Sequence, residues 1–236
     1  MRRFLTVIVV LVLLVVAVDR VAWWFAQRTI ADQVQNEAEL ATPPEVKVGG
    51  FPFLTQVLRG KYTQIDAVLE NPEVPGGLKI DRLNVKLQGV QVSTSEVINR
   101  QVQSVPVDAA TAVATVSYAT LNETAKENLA EVNSEVQFSQ GADNSLQITG
   151  EYRSSGFNAQ LDLSAKLVVQ DGDLVVQLPA DTLNGLPAVA RSQVRTLVTQ
   201  ASRLPSLPYG FQARSVTMGA TGVTIQAESA SLKLER

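Results

Sequence analysis

Two pairs of carboxylates are, by type and spacing, the groups in this chain best placed for acid–base work. Glu123 and Glu127 stand one helical turn apart, and Asp171 and Asp173 flank a turn. Paired carboxylates are what glycoside hydrolysis uses, one as acid and one as base or nucleophile. Neither pair carries a companion signature, and a solvated helix face and a tight turn account for them. Composition closes most other routes. The chain has 0 His and 0 Cys, so it lacks the commonest general base and metal ligand, the centre of Ser-His-Asp triads, thiolate nucleophiles and disulfides. No catalytic residue, metal or cofactor is expected. Gly49-Gly50, Gly76-Gly77 and the stretch from Gly219 to Gly222 lack the Lys-Ser/Thr that follows a phosphate-cradling loop and read as turns.

Charge is distributed unevenly. The formal net charge is -3, with no long Lys/Arg block, which argues against nucleic acid as a partner. From Thr182 to Ala227, however, there is no Asp or Glu, while Arg191, Arg195, Arg203 and Arg214 are present. Arg191 and Arg195 lie one turn apart opposite an apolar stripe, where guanidinium groups suit an anionic headgroup; an ordinary solvated helix face would read the same way.

These side chains must be held by elements, and the first is a membrane-targeting segment. Arg2 and Arg3 precede an apolar run from Phe4 to Val18 broken only by Thr6. Val16-Ala17-Val18 is a poor cleavage triplet and Asp19-Arg20 follows directly, so retention as a signal-anchor is favoured over removal as a signal peptide. Continuation through Val21-Ala22-Trp23-Trp24-Phe25 brings the apolar length to about 20 residues, as spanning requires. Trp23 and Trp24 then lie at the outer interface, or else in the core of the folded domain. The expected organisation is 1–26 as leader or anchor and 27–236 as a single domain on the outer face of the cytoplasmic membrane, tethered or secreted.

Residues from about 20 to 40 have helical composition, with Ile30, Val34 and Ala38 on one stripe and Thr42-Pro43-Pro44 as the stop. Strand patterns follow at Val46-x-Val48, Tyr62 to Leu69, Leu78-x-Ile80, Leu83-x-Val85-x-Leu87, Val90-x-Val92 and Ala112 to Tyr118. A short helix is expected over 95–103. Thr120-Leu121-Asn122-Glu123 has the form of a capping box for a helix carrying Leu121, Ala125, Leu129 and Val132. The clearest alternation is Leu161-x-Leu163-x-Ala165-x-Leu167-x-Val169, turning at Asp171-Gly172 into Leu174-x-Val176-x-Leu178. Ala190, Val194, Leu197, Ala201 and Leu204 mark an amphipathic helix over 187–204. Val216-x-Met218 and Val223-x-Ile225-x-Ala227 close the chain. The fold class is α+β, with antiparallel sheet packed on helices behind an N-terminal membrane helix. Aromatics are 6% of residues, and the strands are filled with Val, Leu, Ile and Ala; an aliphatic interior suits acyl chains, and a closely packed core would look the same.

Three segments resemble the actinobacterial lipomannan elongation factor family (LmeA-like), a phospholipid-binding family. They are Gly50-Phe51-Pro52-Phe53-Leu54-Thr55-Gln56 with Gly60-x-Tyr62, Ser117-Tyr118-x-x-Leu121, and Leu204-Pro205-x-Leu207-Pro208-Tyr209-Gly210-Phe211 with Gly222-Val223. The resemblance implies a non-catalytic envelope protein that binds phospholipid, phosphatidylinositol-type lipids first. It implies a supporting role in lipomannan and lipoglycan synthesis beside glycolipid-synthesis enzymes, and a tubular-lipid-binding-like domain with a curved antiparallel sheet wrapped on a long helix. Phe51, Phe53, Tyr209 and Phe211 join Arg191 and Arg195 as candidate lipid contacts, Phe51-Pro52-Phe53 and Pro208-Tyr209-Gly210-Phe211 being read first as rigid turns with apolar anchors. An envelope scaffold that organises membrane enzymes is the alternative of a different class.

Overall fold

The N-terminal helix does not end where its hydrophobicity does. In the computed structural model, α1 runs unbroken over Arg2–Glu37. Every side chain from Arg2 to Val18 is exposed, and burial begins at Asp19. The structure describes residues 2–74, 78–92, 104–129, 135–154, 157–179, 182, 191 and 207–235. The helix expected over 95–103, and that over 187–204 apart from Arg191, lie outside them, as does Val132.

By internal contacts the chain divides into two compact units. The first comprises Met1–Leu69, Asn84–Thr111 and Ala230–Arg236. After α1, Glu39 takes a left-handed conformation and Leu40 is buried, its N–H donating to the Gln35 carbonyl, so the helix stops short of Pro43-Pro44. β1 (Glu45–Gly49) then pairs antiparallel with β2 (Lys61–Glu70), Val46 opposite Ala67 and Val48 opposite Ile65. Between them lies α2 (Phe53–Arg59), ended by Gly60 in the left-handed region, where its N–H caps the last turn. The same unit holds β6 (Ser104–Val107), paired with β14 (Leu232–Glu235).

The second unit comprises Glu70–Leu83 and Ala112–Ser229. It contains β3 (Glu73–Val74) and β4 (Leu78–Lys79), a short antiparallel pair. α3 (Tyr118–Leu129) follows, and then an antiparallel sheet in the order β11-β10-β9-β8, formed by β8 (Glu135–Gln140), β9 (Leu146–Ser154), β10 (Phe157–Gln170) and β11 (Asp173–Gln177). β12 (Gln212–Met218) and β13 (Gly222–Ser229) complete the unit as a hairpin. β5 (Arg82–Gln91) and β7 (Ala109–Ser117) contribute residues to both units. The described residues show the α+β class with antiparallel sheets.

The strands follow the alternation of the sequence, with phase breaks where the backbone is special. On β10, Leu161, Leu163 and Ala165 are buried, and the turn to β11 places Asp171 and Gly172 both at positive φ, as a type I′ hairpin requires. β5 points Leu83, Val85 and Leu87 to one side and then buries Val90, one step out of phase. Gly89 between them has φ +63, and a Cβ there would stand 2.1 Å from the Asp108 carboxylate. β12 shifts register between Ala213 and Ser215, so that Ala213, Val216 and Met218 are all buried. With Leu146, Leu174 and Val223 these form the core of the second unit, and the half-buried Tyr118, Leu121, Phe138 and Ile148 pack against it.

The expected capping box lies elsewhere. α3 begins at Tyr118, and its cap is Ser117, whose Oγ accepts the Thr120 N–H at 3.1 Å. The displacement follows from Asp81. Its carboxylate accepts hydrogen bonds from the Ser117 N–H, the Ser117 hydroxyl (3.1 Å) and the Thr120 hydroxyl (2.6 Å). Thr120 is thereby drawn into the first turn rather than left before it. Burial alone would raise the Asp81 carboxyl pKa, but the donors from Thr120 and Ser117 outweigh it and hold it below its ordinary value. A depressed carboxylate stabilises the fold above its unfolded pKa, near 3.9, and the contribution is lost as pH falls through the lower folded value. Asp81→Asn, which turns an NH2 group toward these donors, should therefore cost about 1–3 kcal/mol at neutral pH. It should also flatten the loss of stability in acid, as read by urea midpoints from neutral pH down to about pH 3.

Candidate lipid-binding site

The first motif builds a joint between α1 and the sheet. Pro52 stands where α2 would take its N-cap and supplies no side-chain acceptor; the Phe51–Pro52 peptide is cis. The acceptor comes from α1 instead: Asp19, 2% exposed, takes the Leu54 N–H on Oδ1 at 2.8 Å and the Arg20 guanidinium on Oδ2 at 2.6 Å. A carboxylate at a helix N-terminus satisfies orphan N–H groups and meets the favourable end of the helix dipole. One helical turn on, the Trp23 indole N–H donates to the Val48 carbonyl at 2.7 Å, and the Gln27 carboxamide oxygen accepts the Val48 N–H at 3.2 Å. Asp19, Trp23, Gln27 and buried Ala31 thus recur every four residues on the face that packs on β1 and α2.

This corrects the expected stripe. Ile30 and Val34 are half-buried beside it, whereas Ala38 is exposed beyond the helix end. Of the two tryptophans, Trp23 packs on the unit and Trp24 is half-exposed, with the Arg28 guanidinium 4.2 Å from its ring centre.

Gln56, also buried, donates from Nε2 to the Gly49 carbonyl at 3.1 Å and accepts the Thr63 N–H on Oε1 at 2.9 Å, tying the turn after β1 to β2. Gly50, at φ +89, leaves room for that carboxamide: a Cβ there would lie 2.7 Å from Nε2. Phe53 is buried, its ring 6.2 Å from that of Tyr62, whose phenol pKa is raised by burial. Phe51 is 64% exposed beneath the Arg20 guanidinium. The two phenylalanines of the motif therefore part company, one an anchor in the core and the other presented to the surroundings.

The other two motifs belong to the second unit. Tyr118 donates its hydroxyl to the Gly219 carbonyl at 3.1 Å, and burial raises its phenol pKa as well. Gly222 meets β7 so closely that a Cβ would stand 2.2 Å from the Val116 carbonyl oxygen. Pro208–Gly210 forms a 3-10 turn with Tyr209 and Gly210 both at positive φ; Tyr209 is exposed and Phe211 half-buried. Arg191 is helical and exposed, and Arg195 lies outside the described residues. The candidates thus fall into two sets, Phe51 with Phe53 in the first unit, and Tyr209, Phe211 and Arg191 in the second.

The carboxylate pairs have local occupations. Glu123 and Glu127 are exposed on α3, and Glu127 is paired with Lys79 at 3.2 Å; Asp171 stands in the hairpin turn and Asp173 opens β11. Among the described residues no cluster of three or more Asp or Glu side chains is arranged to hold a metal.

The model of LmeA-like phospholipid-binding proteins matches this chain over residues 17–228. The chain belongs to that family. The match opens just ahead of Asp19, so the docking stripe of α1 and all three motifs fall inside it, and most of the apolar run falls outside. No curated protein and no solved structure matches the chain. Membership makes lipid the ligand class, and the aliphatic packing of the sheets is chemically suited to it. α1 is long and apolar enough to cross a membrane and is compatible with an anchor or a signal sequence.

Sequence reasoning missed Asp19 and Gln27, although a signal was present: an acidic residue at the end of an apolar run, spaced four by four with Trp23, Gln27 and Ala31. Asp19→Ala should leave the α2 amides without an acceptor. The expected outcome is a lowered unfolding midpoint for the full chain in detergent micelles, with faster hydrogen exchange at the Leu54 amide than at amides of β10.

Proposed function

We propose that this chain is a non-catalytic envelope lipid-binding protein, anchored by its N-terminal helix and working on phospholipid at the outer face of the cytoplasmic membrane. The family match over residues 17–228 carries the proposal. Residues 1–26 serve as anchor and 27–236 as the lipid-binding domain. Retention of the anchor is supported by Asp19 and Trp23: cleavage beyond them would remove the cap of α2 and the partner of Val48.

Acyl chains are taken by the aliphatic faces of the sheets. The headgroup is met by Arg191 and Arg195 of the locally cationic C-terminal quarter, through bidentate guanidinium–phosphate contacts. In the second unit Tyr209 and Phe211 supply phenolic and apolar edges for lipid, and in the first unit Phe51 is a separate apolar contact. Phosphatidylinositol-type lipid is the preferred ligand, and lipoglycan synthesis the process served, with glycolipid-synthesis enzymes as partners. The absence of His and Cys from the sequence, and the pairing of Glu127 with Lys79, support binding rather than catalysis.

The full chain, purified in mild detergent from a lipid-rich host, should carry phospholipid of a defined class when its native mass is measured and its lipids are extracted. A clean apo mass together with a stably co-purifying enzyme would replace this function with scaffolding. Arg191→Glu with Arg195→Glu should weaken binding to vesicles containing phosphatidylinositol by more than about tenfold, since each basic residue near an anionic surface is worth about 1 kcal/mol.

A further inference from the structure

The apolar run of α1 is too short for the bilayer it would cross. From Phe4 to Val18 it rises about 22 Å at about 1.5 Å per residue, against a hydrocarbon core of about 30 Å. Continuation to Phe25 brings the length to about 33 Å. That extension includes Asp19, and Asp19 is bonded to the first turn of α2. A span of full length therefore takes the beginning of α2 down to the bilayer boundary with it.

The segment from β1 to α2 is held along α1 just after the apolar run. Val48 is bonded to Trp23 and Gln27, Phe51 lies under Arg20, and Leu54 is bonded to Asp19. The chain from β1 to α2 thus descends α1 toward the apolar run. Large apolar side chains are exposed on this segment, Phe51 at 64% and Leu58 at 86%, and on α1 just after Asp19, away from the docking stripe, Val21 at 67% and Phe25 at 66%. Arg20, Arg28 and Arg59 accompany them, with no Asp or Glu in the sequence from Arg20 to Ala31 or from Gly49 to Gln64. Apolar side chains rimmed by arginines match the boundary between acyl chains and anionic headgroups.

We infer that Phe51 and Leu58, with Val21 and Phe25 of α1 and the three arginines, form a collar that beds the first unit into the headgroup layer of an anionic leaflet. The collar rests on the reading of α1 as a membrane anchor and adds to it a second, peripheral contact.

The natural sequence has no Cys, so a single introduced Cys takes a nitroxide label uniquely. The full chain is reconstituted in vesicles of phosphatidylcholine with phosphatidylglycerol, labelled in turn at Leu11→Cys, Leu58→Cys and Lys47→Cys, all exposed positions. Relative accessibility to dioxygen and to a water-soluble nickel chelate then reports depth. The expected result is a deep Leu11 label, a Leu58 label at the headgroup boundary with dioxygen favoured, and a Lys47 label in water. A deep Leu11 label with Leu58 indistinguishable from Lys47 overturns the collar and leaves the anchor standing. A shallow Leu11 label removes the anchor, and the collar with it, wherever the Leu58 label lies. A Leu58 label immobilised and shielded from both reagents shows a protein contact instead and overturns the collar.

Discussion

A carboxylate withdrawn from water where the apolar run of α1 ends is the constraint on which the first unit depends. Asp19 costs free energy wherever it is buried without partners, and the donors that offset the cost are the exposed amides at the start of α2 and the adjacent Arg20. The arrangement is reciprocal, because α2 begins after a proline and has no cap of its own. Neither element is satisfied without the other. Once α2 is fixed, Gln56 reaches both Gly49 and Thr63, the turn at Gly50 must stay free of a side chain, and β1 is held against β2 in the register that buries Val46 and Val48.

A chain without disulfides has to close its irregular backbone by other means, and this one repeatedly uses carboxamides. Asn122 accepts the Phe138 N–H and donates to the Phe138 carbonyl, taking the place of a neighbouring strand beside β8. Asn144 does the same for β12, accepting from the Met218 N–H and donating to the Val216 carbonyl. Gln140 also donates to Met218. Each carboxamide presents a donor and an acceptor at the spacing of a peptide group, so backbone polarity is satisfied without another strand. Gln56 is a further instance, whereas Asp81, a carboxylate, serves Ser117 and Thr120 as an acceptor alone.

What was legible in the sequence was whatever depends on local period. The β10–β11 hairpin, β1, β2, β7, β12 and β13 follow from alternation and turn residues, because a strand with one buried face has to repeat every two residues. β8, β9, β6 and α2 were not legible. Glu135–Gln140 and Leu146–Ser154 mix Gln, Ser, Gly and Glu into the pattern, and their pairing is decided by the partner strand. The capping-box reading failed because Thr120 is recruited by Asp81, thirty-nine residues away; no local motif carries such a contact. In the candidate site, the aromatic motifs could be located, but the opposite fates of Phe51 and Phe53 depend on which face of a short helix meets Tyr62, and that is tertiary information.

Continuity of α1 also bears on how lipid would be handled. A flexible tether would let a domain sample many heights and orientations above a bilayer, with an effective concentration spread over the volume its length allows. Here no such tether separates the apolar run from the first unit: the helix that carries Phe4 to Val18 also carries Trp23 and Gln27, and both are bonded to β1. With α1 in a membrane, the height of β1 and α2 is set by helical rise and the orientation by the four-residue stripe. In the collar proposed above, the unit works at one level, where acyl chains end and headgroups begin. There, an exposed Phe51 beneath Arg20 would cost least, because the ring sits among acyl carbons while the guanidinium faces phosphate.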